Sequence, residues 1–127
     1  MNARLHHLAL GARDVARVAA FYRDVLGLAE TARHHHDDGT LRSIWLDLGG
    51  ATLMVEATSE APRRVEGVGA GPFLLAIRVE ASGRRALESA LESAGAAIES
   101  RTEYTSYARD PEGNRVAISV HPGVTPR

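Results

Sequence analysis

Apolar residues come in short alternating runs along this chain, and one run returns in altered form. Leu8-Ala9-Leu10 aligns with Leu75-Ala76-Ile77 at an offset of 67 residues, and the same offset sets His7 against Leu74. The alternation predicts a strand at residues 5–10 and another at 73–79. After the first, Asp14 suits a helix N-cap, and Val15, Val18, Ala19, Tyr22, Val25 and Leu26 recur at helical spacing up to a terminal Gly27. After the second, Ser82 suits an N-cap. Leu87, Ala90, Leu91 and Ala94 face inward, and Gly95 ends that helix.

Three strands are predicted after each helix. In the first half they span residues 28–34, 40–48 and 51–56, with a polar turn from His35 to Gly39. Gly49-Gly50 is a two-residue hairpin signal that sets the register of the flanking strands. Ser43 then opposes Glu56, Trp45 opposes Met54, and Asp47 opposes Thr52, so the two residues of each pair share a face. In the second half the strands fall near 97–101, 103–109 and 114–121, with a type I turn at Asp110-Pro111-Glu112-Gly113. Pro62, Gly67, Gly69 and Gly71 punctuate a linker. The chain reads as one domain over residues 1–127: module one at about 1–57, linker at about 58–71, module two at about 72–127, each module βαβββ.

Composition narrows the function classes. Among 127 residues the net charge is −1, which gives no electrostatic case for nucleic acid or an acidic membrane. No apolar run is long enough to cross a membrane and no secretory leader is recognisable, so the expected location is the cytoplasm. The absence of cysteine excludes thiolate chemistry. All 15 basic residues are arginine, which removes Schiff-base lysine chemistry. The doublets Arg63-Arg64 and Arg84-Arg85 are expected on exposed faces, and His34 to His36 at a solvated strand end or turn.

Four segments carry a resemblance. They are His7-Leu8-Ala9-Leu10, Phe21-Tyr22-Arg23-Asp24-Val25-Leu26-Gly27-Leu28, Leu48-Gly49-Gly50 and Arg109-Asp110-Pro111-Glu112-Gly113-Asn114. Together they resemble the vicinal oxygen chelate superfamily, which includes glyoxalase I, extradiol dioxygenases, fosfomycin-modifying enzymes and bleomycin-resistance proteins. The resemblance implies an α+β fold of two βαβββ modules, whose curved, cup-shaped mixed sheet is flanked by helices. It also implies a homodimer and a small organic ligand. In the metalloenzymes of this group, His7 and Glu56 match ligand positions, while Leu74 and Ala117 stand where the second module would supply the others. Neither can bind a metal. No metal or other cofactor is therefore expected. The alternative is a divalent ion (Zn, Ni, Mn or Fe) held by His7, Glu56 and His121, which lies four residues beyond Ala117 on the same strand face.

If Glu56 points into the cup, the ligand-facing set comprises Ser43, Trp45, Asp47, Met54, Leu74, Arg78, Ala117, Ser119 and His121, with His7 and Glu56 as candidate acid–base residues. Either Tyr104 and Ser106 or Thr105 and Tyr107 join them. A mixed apolar and polar lining of this kind suits a small-molecule pocket. Metal-independent binding or sequestration is the leading expectation. The alternative is an enzyme, a glyoxalase- or epimerase-like lyase or isomerase acting on a small carbonyl-containing molecule. A weaker third reading is an interaction module whose cup is filled by its own side chains.

Overall fold

The computed structural model describes residues 2–122 and divides into two compact units, residues 1–63 and 64–127. In the first unit the order is β1 (His7–Ala12), α1 (Val15–Ala20), β2 (Glu30–His35), β3 (Leu41–Asp47) and β4 (Thr52–Ala57). In the second it is β5 (Leu75–Arg78), α2 (Arg84–Ser93), β6 (Ser100–Arg101), β7 (Thr105–Arg109) and β8 (Arg115–Ser119). Each unit holds its own four-stranded mixed sheet, ordered β1-β4-β3-β2 and β5-β8-β7-β6. The fold is therefore α+β with two βαβββ modules, and hydrogen bonding makes two sheets rather than one continuous sheet.

Asp14 caps α1 as its position predicts: its Oδ1 accepts from the Arg17 backbone N–H at 3.0 Å. Beyond Ala20 the helix widens into a π-turn over Phe21–Val25, and Leu26 N donates back to the Phe21 carbonyl. Gly27 stops it at φ +81°. Val18, Ala19 and Tyr22 are fully buried, as are Ile44, Leu46, Leu53 and Val55 of β3 and β4, against which α1 packs. These strand residues alternate with those of the opposite face.

The hairpin at Gly49-Gly50 forms with φ +84° and +107°, the two positive angles that a type I′ turn needs. It sets Ser43 opposite Glu56, Trp45 opposite Met54 and Asp47 opposite Thr52, the register expected from the glycine pair. In the second unit, Gly113 N donates to the Asp110 carbonyl at 3.0 Å, closing the turn there. Asp110 also accepts from the backbone N–H groups of Glu112 and Asn114.

Two expectations for the second helix are corrected. Ser82 does not cap it. Ala81–Gly83 form a 3₁₀ turn, Gly83 takes the cap position, and no side chain bonds there. Arg84 is not on an exposed face. It is 7% exposed, and its guanidinium donates to Ser106 Oγ at 3.0 Å and to the carbonyls of Glu103 and Thr102 at 2.5 and 2.8 Å. One long side chain thus satisfies the loop before β7, a role that helical periodicity does not reveal. Of the expected inward residues of α2, Leu91 is buried, while Ala94 is exposed at the C-cap.

Candidate functional site

Backbone pairing lays out the face of the first sheet opposite α1 as three rows across the strands. The first holds His7, Thr52 and Asp47; the second Ala9, Met54, Trp45 and Ala32; the third Gly11, Glu56, Ser43 and His34. Rows lie two residues apart along each strand, about 6.6 Å. Four polar atoms in the second and third rows are buried without a hydrogen-bond partner among the described residues: His34 Nε2, Ser43 Oγ, Glu56 Oε2 and Trp45 Nε1. Folded proteins leave few such groups unpaired, so their concentration on one face is informative. Ser43 is 1% exposed. The His34 ring leans on the Trp45 ring, with centroids 4.6 Å apart.

His34 is the residue that strand periodicity misses. The β2–β3 pairing steps by one position between Glu30 and Ala32 and steps back between His34 and His35. The middle of β2 is therefore shifted, and His34 pairs with Ser43, where an unshifted ladder would set it against Arg42. Glu30 and Arg33 lie on the helix side of the sheet, consistent with their ion pair at 3.0 Å and with the Arg23–Glu30 bond from the π-turn at 2.9 Å. The histidine run is thus split. His35 and His36 are exposed at the turn, whereas His34 joins the polar face.

His7 and Glu56 share that face but do not form the acid–base pair expected from the sequence. His7 pairs with Thr52, and Glu56 with Gly11. Four residues of strand, about 13 Å, separate them. His7 is exposed, and its Nδ1 lies 2.9 Å from Nδ1 of His6. Asp47 is committed to the turn, where its Oδ1 accepts from Gly49 N at 2.7 Å. An open depression of about 410 Å³ lies at this end, lined by Leu5, His6, Asp47 and Thr52 among others. It is at the far end of the sheet from the row containing Glu56.

In the second module, Ala76, Ala117 and Tyr107 form one row, and Arg78, Ser119 and Thr105 the next. Thr105 and Tyr107, rather than Tyr104 and Ser106, therefore share a face with Ala117 and Ser119. Ser119 Oγ and Thr105 Oγ1 are 3.1 Å apart, Arg78 is exposed, and Ala117 is buried. Leu74 precedes β5 and is half-buried. His121 packs edge-on to Tyr104, with centroids 4.8 Å apart. Arg115 lies over the Tyr107 ring at 5.4 Å.

Two βαβββ modules, each with a mixed sheet whose first and last strands run parallel, define the class of protein. The chain belongs to the Glyoxalase/Bleomycin resistance protein/Dioxygenase superfamily, whose family model matches residues 4–118. Among solved structures, it is similar to lactoylglutathione lyase from Agrobacterium tumefaciens, at TM-score 0.67 and 21% identity over 93% of each chain. It is also similar to a mutant of the fosfomycin resistance protein FosX from Listeria monocytogenes, solved with Mn(II) and dihydroxypropylphosphonic acid. That match has a TM-score of 0.77 and 13% identity, covering 94% of this chain and 93% of the other. A glyoxalase/dioxygenase from Nostoc punctiforme matches at TM-score 0.75 and 20% identity, over 91% of this chain and 88% of the other. At these identities the likeness establishes the fold. No curated protein matches the sequence significantly.

His7 and Glu56, which the resemblance sets at metal-ligand positions, are not neighbours on the sheet. Metal ligands sit about 2 Å from the ion, whereas His7 and Glu56 are separated along the sheet, and Leu74 and Ala117 carry no donor atom. Among the described residues, no three His, Asp or Glu side chains are grouped to hold an ion. No helix of the described residues is long and apolar enough to cross a membrane.

Proposed function

We propose that this protein binds a small organic molecule on the face of the first sheet opposite α1, with Glu56, Ser43, Trp45 and His34 as the principal contacts. One observation carries the reading: four buried polar atoms on that face lack partners within the chain. A buried donor or acceptor left unpaired costs about 1–3 kcal/mol, and a ligand that pairs them recovers that cost on binding. Met54 and Ala32 supply apolar contact beside them. Binding in this reading is metal-independent, and the protein acts as a cytoplasmic homodimer organised as a single two-module domain. In the second module, Leu74, Arg78, Ala117, Ser119 and His121 serve as secondary ligand contacts.

A lyase or isomerase activity on a small carbonyl-containing molecule is the second reading. The unpartnered Oε2 of Glu56 favours it, because a carboxylate with no committed donor is free to accept a proton from a bound substrate. His7 then has no part in proton transfer with Glu56.

A thermal-shift screen of small organic molecules against chelator-treated protein tests the binding reading. A ligand at 100 times its Kd stabilises by about 2.7 kcal/mol, and that stabilisation should disappear in Glu56→Ala. Stoichiometric uptake of Zn²⁺, Ni²⁺ or Mn²⁺ that is lost in His7→Ala would overturn the metal-independent reading.

A further inference from the structure

The unpartnered atoms differ in kind, and the difference specifies a ligand; this inference rests on the binding reading just given. Glu56 Oε2 is an acceptor, Ser43 Oγ accepts readily, and the imidazole Nε2 of His34 accepts in one of its neutral tautomers. All three belong to one row, on three adjacent strands about 4.8 Å apart. The central residue is the shortest of the three, so the longer side chains on either side can converge above it. The fourth atom, Trp45 Nε1, can only donate, and Trp45 lies two residues along β3. Gly11, the partner of Glu56 on β1, adds no side chain to the row. Among the described residues, no ion pair involves Glu56.

We propose that the His34–Ser43–Glu56 row binds a primary ammonium group, its three N–H bonds answered by the three acceptors. An oxygen acceptor a few bonds away in the same ligand takes the Trp45 indole N–H. The ligand class is a small amine bearing a nearby hydroxyl or carbonyl. A carboxylate ligand is disfavoured at this row by repulsion from Glu56, and a bare metal ion would leave the indole N–H without a partner.

Trp45 is the only tryptophan, so its fluorescence reports on this face alone. The test titrates the protein at pH 7 with three probes of similar shape: phenylalaninol, its N-acetyl derivative and phenyllactate. Phenylalaninol should bind at least about tenfold more tightly than either of the others, as expected for a charge-assisted contact. In Glu56→Gln its affinity should fall to that of the neutral derivative, whose own affinity should not change. Equal or tighter binding of phenyllactate, or an ammonium preference that survives in Glu56→Gln, would overturn the proposal. So would the absence of saturable binding by all three probes. A thermal-shift hit that lacks an amine and depends on Glu56 would overturn the ammonium assignment alone and leave the binding reading standing. Zn²⁺ binding lost in both His34→Ala and Glu56→Gln would overturn it in favour of a metal.

Discussion

Ser43 sits at the centre of the polar row with its hydroxyl buried and unpartnered. Removing an unpaired hydroxyl costs the ligand-free protein nothing in lost hydrogen bonds. Ser43→Ala should therefore be neutral or stabilising by up to about 1 kcal/mol in urea unfolding, while weakening the thermal shift given by a bound ligand. A loss of stability of that size in the free protein would mean that the hydroxyl already has a partner. Glu88 is the opposite case. Arg101 and Ser106 donate to its Oε2 at 2.6 Å each, and these bonds hold its pKa below the usual 4.5. A carboxylate whose folded pKa is depressed stabilises fully above its unfolded pKa, and loses that contribution as pH falls through the lower folded value. Glu88→Gln should thus lower the melting temperature at pH 7, with the gap to wild type closing as pH drops below 4.5. A gap that stays constant through acid would show that charge at Glu88 is immaterial.

At the scale of elements, much was legible because glycine and proline carry local geometry in their identity. The Gly49-Gly50 pair fixed the turn type, the turn fixed the register, and the register put Ser43 opposite Glu56 and Trp45 opposite Met54. Both turn residues have positive φ and open space around the position a Cβ would take, so substitution there is felt through the backbone alone. Gly50→Val should destabilise by about 1–2 kcal/mol, whereas Gly49→Asn should stay within about 0.5 kcal/mol of wild type, since asparagine suits this turn. Equilibrium unfolding of the two variants checks the contrast. What sequence could not give were the one-residue steps in the β2–β3 pairing. No residue there signals a bulge, so the histidine run reads as turn chemistry and His34 is lost from the site. Arg84 escaped for another reason. Its partners lie on β7 and the loop before it, 18 to 22 residues away, and helix periodicity says nothing about them.

For the molecule as a whole, the repeated βαβββ pattern predicted the two modules, and the parallel pairing of first with last strand recurs in each. Motif phrases located the family. They did not separate His7 from Glu56, because parity along a strand fixes a face and leaves distance along it unassigned. Between the modules, residues 58–74 form no helix or strand, and Arg63 and Arg64 are exposed there. Brief trypsin treatment of the native protein should therefore cut first at Arg63 or Arg64, giving two fragments of nearly equal size by mass spectrometry. A first cut inside either sheet would contradict the proposed linker.

The two opposed steps in the β2–β3 pairing, an extra residue first in β2 and then in β3, cancel, so the pairing at His35 returns to the alignment it had at Glu30 with Ala32 to His34 offset by one. Ala32 and His34 are thereby placed on the polar face, while Arg33 between them stays tied to Glu30 through their ion pair on the other face. Ala32 and His34 can therefore be exchanged in a combinatorial library while the Glu30 ion pairs on the opposite face are kept. On the binding reading proposed above, these two positions are where ligand preference should be easiest to change.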